Sequence, residues 1–85
     1  MVAMVVELYT RRGCHLCDDA KAALVGLRAT RPFALLETDV DSGPALQAAY
    51  GLRVPVVFAA AKLVSELRFD AAARAALDRC LEGAP

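Results

Sequence analysis

Cys14 and Cys17, the ends of Cys14-His15-Leu16-Cys17, carry the most definite chemistry in this chain. Residues three apart on a helical turn are neighbours, so one turn would hold the two thiols together. Such a pair can exchange with a disulfide or offer two ligands to a metal. In exchange, the thiolate is the nucleophile. A helix beginning at Cys14 would aim its unpaired N–H groups, and the positive end of its dipole, at the first sulfur, which favours an anion there. Arg11 and Arg12 add positive potential just before it, and Asp18 and Asp19 oppose it. The expectation is a reducing rather than a strongly oxidising dithiol.

Metal binding is the poorer fit. Structural zinc takes four ligands. The chain has no second Cys-x-x-Cys and no paired histidines; His15 is its one histidine and Cys80 its third thiol. His15 lies between the two cysteines and points elsewhere on a helical turn. No metal and no tightly bound cofactor are therefore expected. A nicotinamide cofactor is not expected either, because no Gly-x-Gly-x-x-Gly is present. Cys80 falls on an apolar stripe and reads as core.

Composition narrows the rest. Hydrophobic residues make up 58% of the 85 and charged residues 24%, which fits a folded domain and not a disordered tail. One domain is expected over residues 1–82, with Gly83-Ala84-Pro85 as a tail. Ten basic residues balance ten acidic ones, interspersed and without a basic stripe, so nucleic-acid or membrane partners are not expected. Met1–Val6 lacks a basic signal-peptide start and Glu7 closes its apolar run. A cytoplasmic location is the expectation, where structural disulfides are rare.

Elements must position the thiols. Val2–Tyr9 is an apolar, β-branched run suited to a strand covered on both faces. A helix should follow over Cys14–Ala29, with Leu16, Ala20, Ala23, Leu24 and Leu27 as its stripe. Arg31-Pro32 stops it, and Phe33–Asp39 reads as a second strand. Ser42-Gly43-Pro44 starts a short helix that ends at Gly51 as its C′ residue. Val54–Ala59 and Lys62–Leu67 read as strands joined tightly near Ala60-Ala61, although no Gly, Asn or Asp is there to favour a two-residue turn. Asp70 caps a last helix reaching Glu82, with Phe69, Ala73, Ala76, Leu77, Cys80 and Leu81 inward. The order β-α-β-α-β-β-α predicts a right-handed parallel crossover and then an antiparallel hairpin. That is an α/β fold: a four-stranded mixed sheet flanked by helices on both faces.

With these elements in place, Leu8–Cys17 resembles the first strand and active-site loop of glutaredoxins. It is most similar to the small glutaredoxin-like proteins of the thioredoxin superfamily that carry a Cys-His-Leu-Cys site. Glu37–Asp41 resembles the second strand and its acidic end, Val54–Phe58 the strand opened by a cis-proline, and Arg68-Phe69-Asp70 the entry to the last helix. The resemblance implies a thioredoxin-like, glutaredoxin-type fold and a monomeric dithiol thiol–disulfide oxidoreductase acting on protein or glutathione mixed disulfides. Cys14 would attack and Cys17 would resolve. Glutathione, as co-substrate, or a thiol reductase would restore the dithiol. The resemblance also implies a cis bond at Val54-Pro55, where sequence alone favours trans. The Val54 backbone would pair with the substrate like an added strand. Arg11 would take a glutathione carboxylate, and Asp70 would open a helix N-terminus that receives another.

Four departures from the glutaredoxin pattern stand beside these likenesses, the first being Arg11 in place of the usual lysine. Arg12 replaces a common proline, Arg53 a threonine, and Glu66-Leu67-Arg68 the glycine pair that lets a ligand approach the backbone closely. Two other functions compete: an iron–sulfur cluster bridged by Cys14 of two protomers and external thiols, and a non-catalytic relic whose Cys-x-x-Cys only caps a helix.

Overall fold

A computed structural model describes residues 4–82. Val2 and Ala3, expected in the first strand, and the expected tail at 83–85 lie outside the described residues. The elements are β1 (Val5–Thr10), α1 (His15–Arg28), β2 (Ala34–Asp39), a 3-10 turn (Val40–Ser42), α2 (Pro44–Tyr50), β3 (Val56–Ala59), β4 (Lys62–Ser65) and α3 (Ala71–Glu82). The sheet order is β2-β1-β3-β4. β1 pairs with β2 in parallel, and the β1–β3 and β3–β4 pairs are antiparallel. The expected crossover and hairpin are both present.

Alternation along β1 divides the molecule into two layers. Val6 and Leu8 face the same side as their partners Ala59 and Val57, and all four are fully buried. Ala20, Leu24 and Leu27 of α1 and Leu77 of α3 close over them, with Phe69, Cys80 and Leu81 packed at the margin. A fully buried Leu such as Leu8, Leu24 or Leu77 stabilises the fold by about 1.5–3 kcal/mol. On the opposite face, Tyr9, Phe58 and Tyr50 form an aromatic group: Tyr9 stacks on Tyr50 at 4.4 Å and meets Phe58 edge-on at 5.8 Å. Tyr50 is the last residue of α2, so the short helix covers this side.

Several expectations need correction. The inward stripe of α1 is Cys17, Ala20, Leu24 and Leu27, with Leu16 and Ala23 exposed. Cys17 takes the inward place in the first turn, so Leu16, one residue earlier, turns out to solvent. Gly51 is not a left-handed C′ residue: its φ is −56°. It is glycine for space, because a Cβ there would sit 2.6 Å from the Gln47 carbonyl oxygen and 3.0 Å from Arg11 Nη2. β3 starts at Val56 and β4 stops at Ser65, which leaves Val54, Pro55, Glu66 and Leu67 in loops. The β3–β4 turn is a two-residue one despite its composition. Ala60 (φ 52°) and Ala61 (φ 65°) both take the left-handed conformation that a type I′ turn requires.

Candidate functional site

The topology brings six chain segments to one end of the sheet. The C-terminal ends of β1 and β2 lie there because those strands are parallel. The start of β3 joins them through the Tyr9–Val56 pairing, and the end of β4 through Val57–Ser65. The N-termini of α1 and α3 complete the group. Cys14, Cys17, Arg11, Val54, Pro55 and Asp70 all belong to these segments.

The thiols are set by the turn that follows β1. The Cys14 N–H donates to the Arg11 carbonyl at 3.2 Å, closing a four-residue turn with Gly13 at φ 80°, a left-handed conformation that favours glycine. Cys14 is therefore the N-cap of α1 and not its first helical residue. Its Sγ accepts a hydrogen bond from the Cys17 N–H at 3.1 Å, as a capping oxygen would. Cys14 is half-buried and Cys17 is only 2% exposed. Burial first, then the neighbouring Cys14 sulfur, push the Cys17 thiol up to about 12, against the opposing pull of the Arg11 backbone. The two sulfurs thus differ in access, and the inner one holds its proton.

Beside Cys17, between the ends of β1 and β2 and the first turn of α1, lies a polar cavity of about 240 Å³. Thr10, Arg12, Cys17, Asp18, Lys21, Glu37 and Asp39 line it. Lys21 pairs with Glu37 at 3.2 Å across it.

On the other side of the motif, Arg11 is held in the protein. Its Nε and Nη2 donate to the two oxygens of Asp41 at 3.2 and 3.1 Å, and its Nη1 donates to the Gly51 carbonyl at 3.0 Å. Gln47 Nε2 donates to Asp41 as well, at 3.0 Å. The Arg11 hydrogen bonds, and then Gln47, hold the Asp41 carboxyl below its usual range. Sequence reasoning missed Asp41 and Gly51 as partners of Arg11. They lie 30 and 40 residues away, and no local spacing points to them.

Val54-Pro55 is cis, as the resemblance implied. Pro55 is fully buried and Val54 half-buried. Among the described residues, the backbone N–H and C=O of Val54 have no hydrogen-bond partner in the protein. The flanking Arg53 is well tied down. Its guanidinium pairs with Glu66 and lies 5.5 Å over the Tyr50 ring, and its carbonyl accepts from the Leu67 N–H at 2.9 Å. Leu67, within the Glu66-Leu67-Arg68 that runs in place of the glycine pair, has φ 71°. The glycine-like backbone survives with a leucine in it. Asp70 caps α3: its Oδ1 accepts from the Ala73 N–H at 3.0 Å.

Among the described residues, no group of three or more His, Cys, Asp or Glu side chains is placed to hold a metal ion, and no helix is long and apolar enough to cross a membrane.

Comparison with known proteins supplies the family. Residues 5–81 match the model of the glutaredoxin-like domain (DUF836). The solution structure of a Nitrosomonas europaea protein superposes with a TM-score of 0.73 at 30% identity, covering 91% of this chain and 93% of that one. The X-ray structure of an X. campestris protein gives 0.66 at 36% identity, covering 94% and 99%. A thioredoxin mutant from Halobacterium salinarum gives 0.64 at 26% identity, covering 98% and 79%. No curated protein matches. The mixed sheet, its helices and these likenesses make this a thioredoxin-like fold, and the chain belongs to the glutaredoxin-like domain family.

Proposed function

We propose that the protein is a dithiol thiol–disulfide oxidoreductase. The observation that carries this reading is the unequal pair at the start of α1: an accessible Cys14 sulfur receiving a backbone N–H, backed by a buried, protonated Cys17. Cys14, as thiolate, attacks one sulfur of a substrate disulfide. A mixed disulfide forms and the other substrate sulfur leaves as a thiolate. Cys17 then loses its proton, with the carboxylate-lined cavity as the way out, and attacks the Cys14 sulfur. The second substrate thiol is released and a Cys14–Cys17 disulfide remains. Two electrons have passed to the substrate. An external dithiol or monothiol reductant returns them, taking up the oxidation in turn. Val54, with both backbone groups unpaired at the same end of the sheet as the dithiol, offers an edge for an extended substrate.

Reduction of a protein disulfide by wild type, Cys14→Ser and Cys17→Ser tests the reading. Cys14→Ser should lower the rate by about 10³ or more, as loss of a nucleophile does. Cys17→Ser should stop at a mixed disulfide visible by mass spectrometry. A fully active Cys14→Ser would refute the assignment. A brown protein from anaerobic purification would favour the cluster reading instead.

A further inference from the structure

Glutathione carries two carboxylates, and this end of the molecule has two natural places for them. Each is already filled by the chain's own carboxylate. Asp41 grips Arg11 with both oxygens, in the geometry that a bound carboxylate would use, and Gly51 takes a third of the five guanidinium N–H groups. At α3, the Asp70 side chain bonds the Ala73 N–H, so the helix N-terminus already faces a negative charge.

Two of the neighbouring cations are matched too, while Arg12 and Arg68 form no ion pair among the described residues. Arg53 pairs with Glu66 and Lys21 with Glu37, while Arg12 lines a cavity with Asp18, Glu37 and Asp39. Leu67 adds a side chain in the loop before α3, where close backbone approach would need glycine. Apart from Arg12 and Arg68, what the site leaves open is uncharged. Val54 has a free N–H and C=O, and Leu16, Leu52 and Leu67 are 50%, 92% and 53% exposed on the converging segments.

We infer that Asp41 and Asp70 are specificity-determining residues that keep glutathione out. The substrate class left to the dithiol is then a cystine in an extended, apolar protein segment. This rests on the oxidoreductase reading above and narrows it. An anionic tripeptide must displace an internal ion pair at Arg11 and meet a like charge at α3, whereas an apolar peptide strand meets neither cost.

The test uses one apolar cysteine peptide in two mixed disulfides, one with glutathione and one with neutral mercaptoethanol. Each is mixed with the fully reduced protein, and the readout is the ratio of the two second-order rate constants. In wild type the glutathionyl substrate should react no faster than the neutral one. Asp41→Asn should raise the ratio about two- to fivefold in favour of glutathione, the scale of one exposed ion pair. Adding Arg11→Gln should return it. Asp70→Ser, which keeps a capping oxygen, should raise the ratio in the same direction and serves if Asp41→Asn does not fold. A wild type that prefers the glutathionyl substrate tenfold or more overturns this inference alone, as does a ratio unmoved by Asp41→Asn or Asp70→Ser. A reduced protein that attacks neither disulfide overturns the oxidoreductase reading as well.

Discussion

The two ends of the sheet are built differently. At the dithiol end, the segments are tied to one another by side chains. Arg11 joins the β1 turn to Asp41 and to the end of α2, and Arg53 joins the loop before β3 to Glu66 after β4. Leu67 keeps a left-handed backbone there, with its N–H bonded to the Arg53 carbonyl. At the other end, the β3–β4 turn is Ala60-Ala61, also left-handed, and neither side chain can bond anything. A left-handed conformation costs an L-residue roughly 1–2 kcal/mol at either place. Only at the dithiol end do side-chain bonds hold the conformation in place. The far end has a polar tie of its own, Arg31 to Asp78 and Glu82 of α3, but it does not reach the hairpin tip, which is carried by the ladder on either side of it.

The largest expected effect sets the dithiol end against itself. The folded chain keeps the Cys17 proton up to about 12, while an unfolded thiol loses it near about 8.5. Between those values the folded state binds more protons, so stability falls as pH rises. The contribution is whole below about pH 8.5 and is lost on the way to 12, at up to about 1.4 kcal/mol per pH unit. Tyr9, raised by burial and by Glu7, acts in the same sense. Urea unfolding of wild type and Cys17→Ala across about pH 8–11 separates the two, because only the Cys17 part vanishes in the variant. Equal alkaline slopes would show that burial does not hold this proton.

Gly51→Ala should have the next largest effect. Its new Cβ would press on the Gln47 carbonyl at 2.6 Å and on Arg11 Nη2 at 3.0 Å. The nearer of these is backbone and cannot step aside cheaply, so a loss of about 1–3 kcal/mol is expected, the range for overpacking. Disulfide reduction should slow as well, since the Arg11 carbonyl holds the Cys14 N–H. A urea midpoint and a reduction rate equal to wild type would mean that the Arg11–Gly51 contact positions nothing.

What can be read from residues alone follows the range of each signal. The spacing of Cys14 and Cys17, the apolar run at Val5–Tyr9, the Asp70 cap and the Ala73–Leu77 stripe are local patterns, and all the corresponding elements form. The stripe of α1 differs from its pattern in the first turn. Leu16 is apolar by type, yet Cys17 is the residue that the packing buries. The partners of Arg11 and Arg53 are out of reach, because an ion pair between distant loops has no periodicity to betray it. The role of Gly51 is hidden for a related reason. A glycine after a helix suggests a left-handed cap, but the need here is for room beside an arginine from another part of the chain.

The hairpin tip is the least supported connection in the sequence, and the structure keeps the turn while giving it the wrong residues. Ala60 and Ala61 hold φ of 52° and 65°, which Asn and Gly tolerate far better. Replacing Ala60-Ala61 by Asn-Gly should therefore stabilise the protein by about 1–2 kcal/mol, part of the relief being offset by the larger conformational freedom of glycine in the unfolded chain. For a chain of this length, each kcal/mol should raise Tm by about 4–8 °C. The gain should appear without a change in the rate of disulfide reduction, since the tip lies at the far end of the sheet from Cys14. A lower Tm would mean that the alanines are not strained where they stand. A higher Tm with an altered reduction rate would mean that the two ends are coupled through β3, and the contrast between them would fail.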